Sequence, residues 1–294
     1  MEQVYINSAL AALGYAVAAS FSKRALGQGA GVLRLAFVAN WLFLPVFALF
    51  LIGKEFTFPL SQLGYPLLTG LFFFLGQIFT FAAIRLGDVS LQTPVMGTKA
   101  VFVVVIALIL GTESITKPML LAAVLSMLGV ALLGFSGGGA KRVGMTLGLA
   151  LLSSLFFATS DTMMGFYGSQ FSAPVYMFIA MIANALLSLI LLPFFQGPLR
   201  AIPKPAWTWM VLAGLLMAGQ ALLLAYTITR YQNVAVVNVI YSTRGLWSVL
   251  IGVLLVHYLG SPVTHGVRRI VLLRLSGAAL MCAAIAVLFI PLPL

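Results

Sequence analysis

Ten stretches of this chain are apolar over close to the length a helix needs to cross a bilayer, and only short loops separate them. They are Gln3–Ser22, Leu33–Ile52, Leu63–Ile84, Val89–Leu110, Pro118–Phe135, Val143–Met164, Pro174–Phe195, Ala206–Thr229, Val234–Val256 and Ile270–Ile290. A hydrocarbon core about 30 Å thick takes roughly 20 residues of helix. Inside it every backbone N–H and C=O must be satisfied by the segment itself, so the spanning structures are helices and closed barrels. Barrel strands are short and alternate apolar with polar; these runs are long and continuous, so helices are expected. With 62% hydrophobic and 7% charged residues, the composition excludes a soluble domain. The net charge of +11 does not indicate a nucleic-acid partner. The Lys and Arg residues stand singly or in pairs between the spans, as topology signals and contacts to anionic lipid. The first stretch lacks the basic n-region of a cleavable signal and is expected to be a permanent span.

Two cations depart from that pattern. Lys99 and Arg244 each lie ten residues inside a span, too deep to snorkel easily. A charge there costs about 2.5–3.5 kcal/mol on insertion scales and is a functional residue by default. Thr98–Lys99 recurs as Thr243–Arg244 at an offset of 145. Arg85 and Asp88 recur as Arg230 and Asn233 at the same offset, and Gly76–Gln77 as Gly219–Gln220 at 143. The chain therefore reads as two homologous halves, 1–136 and 143–294, divided at Gly137–Gly139 and Lys141–Arg142. Five spans per half is an odd number, so the second half must be inverted relative to the first. Substrates of such inverted repeats bind near the midplane, where the halves meet. Basic residues are more frequent in loops after odd-numbered spans (Lys23, Arg24, Arg85, Lys141, Arg142, Arg200, Lys204, Arg268, Arg269) than after even-numbered ones (Lys54, Lys117, Arg230). This places the odd-span loops in the cytoplasm and both termini outside.

An anion between Lys99 and Arg244 would pair with both, bidentately at Arg244. The competing arrangement is an internal salt bridge. The chain has five acids, of which only Asp161 lies within a span. It sits near the end of the sixth stretch, where it would either pair nearby at the interface or couple transport to protons. One acid cannot neutralise two cations. Helical spacing puts Tyr241 one turn before Arg244, Gln92 on the face of Lys99, and Ser8, Tyr15 and Ser22 on one face of the first span. Gln77, Gln220, Asn40 and Asn184 are amides within spans, expected as cavity-lining groups or as interhelical hydrogen-bonding glue. Pro94 frees a backbone carbonyl near Lys99, which predicts a kink or a packed membrane proline. Gly144-x3-Gly148 predicts close helix packing within the monomer. Catalytic chemistry is thin: His257 and His265 have no carboxylate cluster, and metal-ligand spacings, phosphate-binding loops and activated nucleophiles are missing from the sequence. Cys282 is the single cysteine and reads as a small buried hydrophobe.

Ten spans in two similar halves, Gly111–Thr112–Glu113 closing the fourth span, and Pro94-x4-Lys99 resemble the EamA-like drug/metabolite transporter superfamily. The resemblance implies an all-α integral membrane fold of two inverted five-helix repeats. They surround a central cavity lined by spans 1–4 and 6–9, with spans 5 and 10 peripheral. It also implies a multi-pass protein of a prokaryotic plasma membrane that moves small organic solutes by alternating access, without cofactor or metal. Two departures matter. Tyr258 stands where the second half should repeat Glu113, and the first span lacks the acid used by small proton-coupled multidrug relatives. Basic residues on spans 4 and 9 are similar instead to the branch that exchanges phosphorylated solutes. The expectation is a secondary transporter of an anionic metabolite, phosphorylated or carboxylate. Its site comprises Lys99, Arg244, Tyr241, Gln77, Gln220, Tyr15 and Asn40, with Asp161 as coupling candidate. The alternatives are export of neutral or zwitterionic solutes such as amino acids and, in another class, a membrane-embedded enzyme acting on a lipid. The sequence leaves oligomeric state open and points to the small-molecule substrate and membrane lipids as partners.

Overall fold

A computed structural model describes residues 2–87, 92, 95–111, 116–134, 140–248, 250–251 and 265–287. Each of the ten apolar stretches contains helix, numbered here in chain order. They are α1 (Glu2–Gly27), α2 (Val32–Ala48), α3 (Gly64–Leu86), α4 (Lys99–Leu110), α5 (Lys117–Gly134), α6 (Ala140–Gly168), α7 (Ala173–Leu187), α8 (Lys204–Tyr231), α9 (Val234–Tyr241) and α10 (His265–Val287). Among the described residues, six helices, counting the 3-10 turns that extend α2, α3 and α7, are long and apolar enough to cross a membrane. Large aliphatic side chains such as Ile109, Leu110, Val124 and Ile190 are exposed around the outside. The core is built largely of alanine and aromatic side chains, and the small side chains let helix backbones approach closely.

Helix ends follow local chemistry. Gly111 adopts the left-handed conformation that closes α4, with φ of 62°. Gln232 does the same for α8 with φ of 52°, and the Asn233 side chain then caps α9 by accepting from the Val236 N–H at 3.2 Å. The Lys23 ammonium donates to Ile84 O at 2.9 Å and Gly87 O at 2.6 Å, a cation placed on the otherwise orphaned carbonyls that end α3.

The packing has a regular pattern. α1 packs on α8 and α3 on α6; α2 packs on α8 and α3 on α7; α4 packs on α6 and α1 on α9. Each pair becomes the other when every helix is exchanged for the one five places along. α2 packs on α7 and α5 on α10, and both pairs map onto themselves under that exchange.

Several local expectations are corrected. Lys141 and Arg142 lie in the first turn of α6, which begins at Ala140; they are not in a loop. α6 also runs on to Gly168, so Asp161 lies two turns before the end of the helix and is buried. Neither Gly144 nor Gly148 packs closely: a Cβ built on either meets nothing within 4 Å. The close approaches are elsewhere. A Cβ on Gly70 would collide with Ala180 O and lie 2.7 Å from the Ala183 Cβ, at the seam of α3 and α7. Pro94, Glu113, His257 and Tyr258 lie outside the described residues.

Gly70→Val is expected to lower stability by about 1–3 kcal/mol through overpacking. Gly144→Ala and Gly148→Ala are expected to be neutral or to stabilise by up to about 1 kcal/mol, because helical glycine gives way to alanine in open space. Tryptophan-fluorescence melts of the detergent-solubilised variants check both; equal melting temperatures for Gly70→Val and Gly144→Ala would contradict the assigned seam.

Candidate functional site

The fourth and ninth spans are both interrupted immediately before their cations. A 3-10 turn, Met96–Thr98, precedes Lys99, the first residue of α4. α9 stops at Tyr241, a turn covers Ser242–Thr243, and helix resumes at Arg244. The two matching Thr–basic dipeptides thus occupy the same place in two broken helices. Such a break releases backbone groups from the regular ladder and often marks a functional hinge. Arg244 donates from its terminal nitrogen to Met96 O at 2.5 Å, a carbonyl that also accepts from the Lys99 backbone N–H. This contact ties the break in one span to the break in the other, alongside the Lys99 ammonium 5.1 Å from the Tyr241 ring centre.

Around these turns lies a cavity of about 620 Å³, its opening included. Seven of the eight side chains singled out from the sequence line it: Tyr15, Gln77, Lys99, Asp161, Gln220, Tyr241 and Arg244. The eighth, Asn40, is buried in α2 and is not among the lining residues; neither atom of its amide has a partner, and the same holds for Asn184 in α7. Among the described residues, α1 to α4 and α6 to α9 supply the walls, with Arg244 beyond α9, and α5 and α10 supply none.

The two cations are held differently. The Lys99 Nζ lies 2.5 Å from an Asp161 carboxylate oxygen, with both residues at least 96% buried. Asn238 donates to the same oxygen at 3.0 Å. This is the internal pair that competed with a two-cation anion site, and it removes Lys99 from the set of unpaired charges. Arg244 is 2% exposed and has no acidic partner among the described residues. Its guanidinium lies 4.7 Å from the Tyr15 ring centre and 4.4 Å from that of Tyr241. Cation–π contact between two tyrosine faces offsets part of its desolvation, but its Nε has no hydrogen-bond partner. The local sum is one carboxylate against two cations, as expected from the acid count.

The tyrosines are fixed in turn. The Tyr241 hydroxyl donates to Gln220 Oε1 at 2.6 Å, and the Tyr15 hydroxyl donates to the Met96 sulfur at 3.0 Å. Tyr15 and Tyr241 meet edge to face, with centroids 6.1 Å apart. The remaining wall is mostly apolar, with Thr69 and Ser160 as further polar groups, and its apolar part was not anticipated: Phe43, Phe47, Phe73, Phe157, Met177 and Met181. Nothing in the sequence separates these from the other aromatic and methionine residues of an apolar chain, since only tertiary packing decides which ones face inward.

Beyond the cavity, one turn before Thr69 and one turn after Met164, Tyr65 stacks on Tyr167 with centroids 3.9 Å apart. Phe58 packs on Phe171 beside them, and the hydroxyls of Thr69 and Tyr176 lie 2.7 Å apart. At the opposite end the seal is polar: Thr80 and Ser153 hydroxyls 2.7 Å apart, and Ser153 on Gly76 O at 2.9 Å.

The buried pair makes a specific energetic prediction. Asp161→Asn, which strands Lys99, is expected to cost about 3–5 kcal/mol, and Lys99→Gln with Asp161→Asn together far less than the two single changes summed. A double-mutant cycle from denaturant or thermal unfolding measures the coupling; additivity would show that the two groups do not interact.

With this geometry in hand, comparison with known proteins is informative. Residues 4–135 match the EamA-like transporter family. One solved crystal structure shares the fold over 98% of each chain, with a TM-score of 0.63 at 17% identity. No curated protein matches the chain. It is an integral multi-pass membrane protein, and over residues 4–135 the resemblance read from its sequence is borne out: that half is matched by the EamA-like transporter family.

Proposed function

We propose that this protein is a secondary transporter that carries a small organic solute with one anionic group, a carboxylate or a singly charged phosphoryl ester, by alternating access. The observation that carries the reading is Arg244, a buried guanidinium with an unpartnered Nε, facing a cavity at a helix break. Guanidinium cannot shed its proton to relieve the cost of burial, so an anion reaching it gains the full benefit of a charge-assisted contact in a dry site. Because Asp161 already pairs with Lys99, one negative charge is favoured over two. The phenylalanine and methionine walls suit an apolar body on the same solute.

A second reading, a zwitterionic solute such as an amino acid, is favoured by a specific fact: Asp161 lines the same cavity as Arg244. An ammonium group there would compete with Lys99 for the carboxylate, which gives Asp161 a coupling role.

The architecture we propose for this function is two inverted five-helix repeats, 1–136 and 143–294, in a prokaryotic plasma membrane with both termini outside. The exchange pattern of helix pairs and the paired breaks before Lys99 and Arg244 support it.

Counterflow in proteoliposomes tests the substrate. Uptake of an apolar monocarboxylate is expected to saturate and to fall roughly 30-fold or more in Arg244→Gln, the loss typical of truncating a buried hydrogen-bonded charge, while the melting temperature shows that the variant folds. Normal transport by Arg244→Gln, or a preference for cations, would overturn the anionic reading. Orientation is tested separately: a membrane-impermeant thiol reagent applied outside should label Glu2→Cys and spare Lys141→Cys.

A further inference from the structure

A second polar pocket lies at the membrane face where α1 and α3 end and α2 begins, away from the central cavity. It encloses about 330 Å³, opening included, and is lined by Gly31, Val32, Leu33, Arg34, Arg85, Phe194 and Gln196. Arg34 is 8% exposed. One terminal nitrogen donates to Gly29 O at 2.8 Å and the other to Pro198 O at 3.4 Å, while its Nε has no partner. Arg85, in the last turn of α3, is exposed and adds a second charge. No acid pairs with either arginine among the described residues. The start of α2 adds backbone donors, since its N-cap is Gly31, which has no side chain to cap the helix, leaving the first N–H groups without intrahelical partners. Gly31 is required here twice over: its φ is +76°, and a Cβ would lie 3.2 Å from the Arg34 Nε.

We infer that this pocket binds a phosphate group at the membrane surface, through Arg34, Arg85 and the α2 N-terminus. A buried guanidinium with a free nitrogen, a second guanidinium at the rim and a row of N–H groups are the donors that a phosphate oxygen set requires. Its position at the helix ends is the depth of a phospholipid headgroup, on the face that also carries Lys23, Arg24, Arg200 and Lys204. Basic pockets between membrane helices take anionic headgroups in this way. A soluble phosphate compound offers the same chemistry, and the test separates the two. The inference does not depend on the proposed transport substrate.

The experiment is titration of the detergent-solubilised full chain with phosphatidylglycerol, phosphatidylcholine or inorganic phosphate, read by melting temperature and native mass spectrometry. Phosphatidylglycerol is expected to raise the melting temperature and phosphatidylcholine to leave it nearly unchanged. Arg85→Gln, on an exposed side chain, should weaken the phosphatidylglycerol effect about fivefold without shifting the lipid-free melt. Gln196→Ala should weaken it less, and Arg244→Gln should preserve it. If inorganic phosphate stabilises as well as phosphatidylglycerol and Arg85→Gln abolishes both effects, the site is confirmed and its ligand is a soluble phosphate. Equal stabilisation by the two lipids, no response to phosphatidylglycerol or phosphate, or full retention of the phosphatidylglycerol effect in Arg85→Gln would each overturn the inference.

Discussion

Burying charge at the junction of two broken helices is the constraint to which the rest of the interior answers. Lys99 and Arg244 stand at the first residue of resumed helix, each just past a turn, in surroundings where an unpaired charge is costly. The protein meets that cost in two ways. Asp161 takes Lys99 directly, with Asn238 steadying the carboxylate. Arg244 receives only dipoles: the Met96 carbonyl and the faces of Tyr15 and Tyr241. Gln220 and Gln92 then have defined partners in the two tyrosines and Met96. Removing Lys99 would therefore strand the Asp161 carboxylate, whereas removing Arg244 would strand neutral groups alone.

The breaks themselves link packing to motion. A turn within a span is a point at which a helix can bend. Here the two interruptions meet through the Arg244 contact to Met96 O and the approach of Lys99 to the Tyr241 ring at 5.1 Å. The layers on the two sides of the cavity differ in emphasis: stacked aromatic rings with the Thr69–Tyr176 hydroxyl pair at one end, hydroxyls with a lysine-capped helix terminus at the other. Hydroxyl and ammonium contacts can open only where water replaces them, as it can near a membrane face.

Much of this was legible in the sequence because membranes make polar residues conspicuous. Each apolar stretch contains helix, and seven of eight site residues line one cavity, because a charge or amide inside a span has few places to go other than a protein interior. The failures share one cause. Asn40 is as polar as Gln77, but its position on α2 takes it off the cavity wall, and spacing within one helix does not reveal which neighbour it will face. Gly144 and Gly148 have the spacing of a close-packing pair yet face open space, while Gly70, with no such partner, sits against the Ala180 backbone. The aromatic walls were invisible for a related reason: in a chain this apolar, phenylalanine at a cavity and phenylalanine in lipid carry the same pattern.

The correspondence between the two breaks is instructive where it fails. Lys99 and Arg244 occupy equivalent breaks, but the acid that pairs with Lys99 lies on α6, and its counterpart five helices away, α1, brings Tyr15 to Arg244 instead. An acid in the first half would have closed both ion pairs and left a neutral, fully satisfied interior. Replacing it with a tyrosine face leaves one guanidinium held by weaker, more readily exchanged contacts. On the proposed function, the solute must be bound and also let go, and a charge that the protein itself satisfies incompletely suits both. In this chain that incompleteness is confined to one of two equivalent positions, while the other is locked by Asp161 and Asn238.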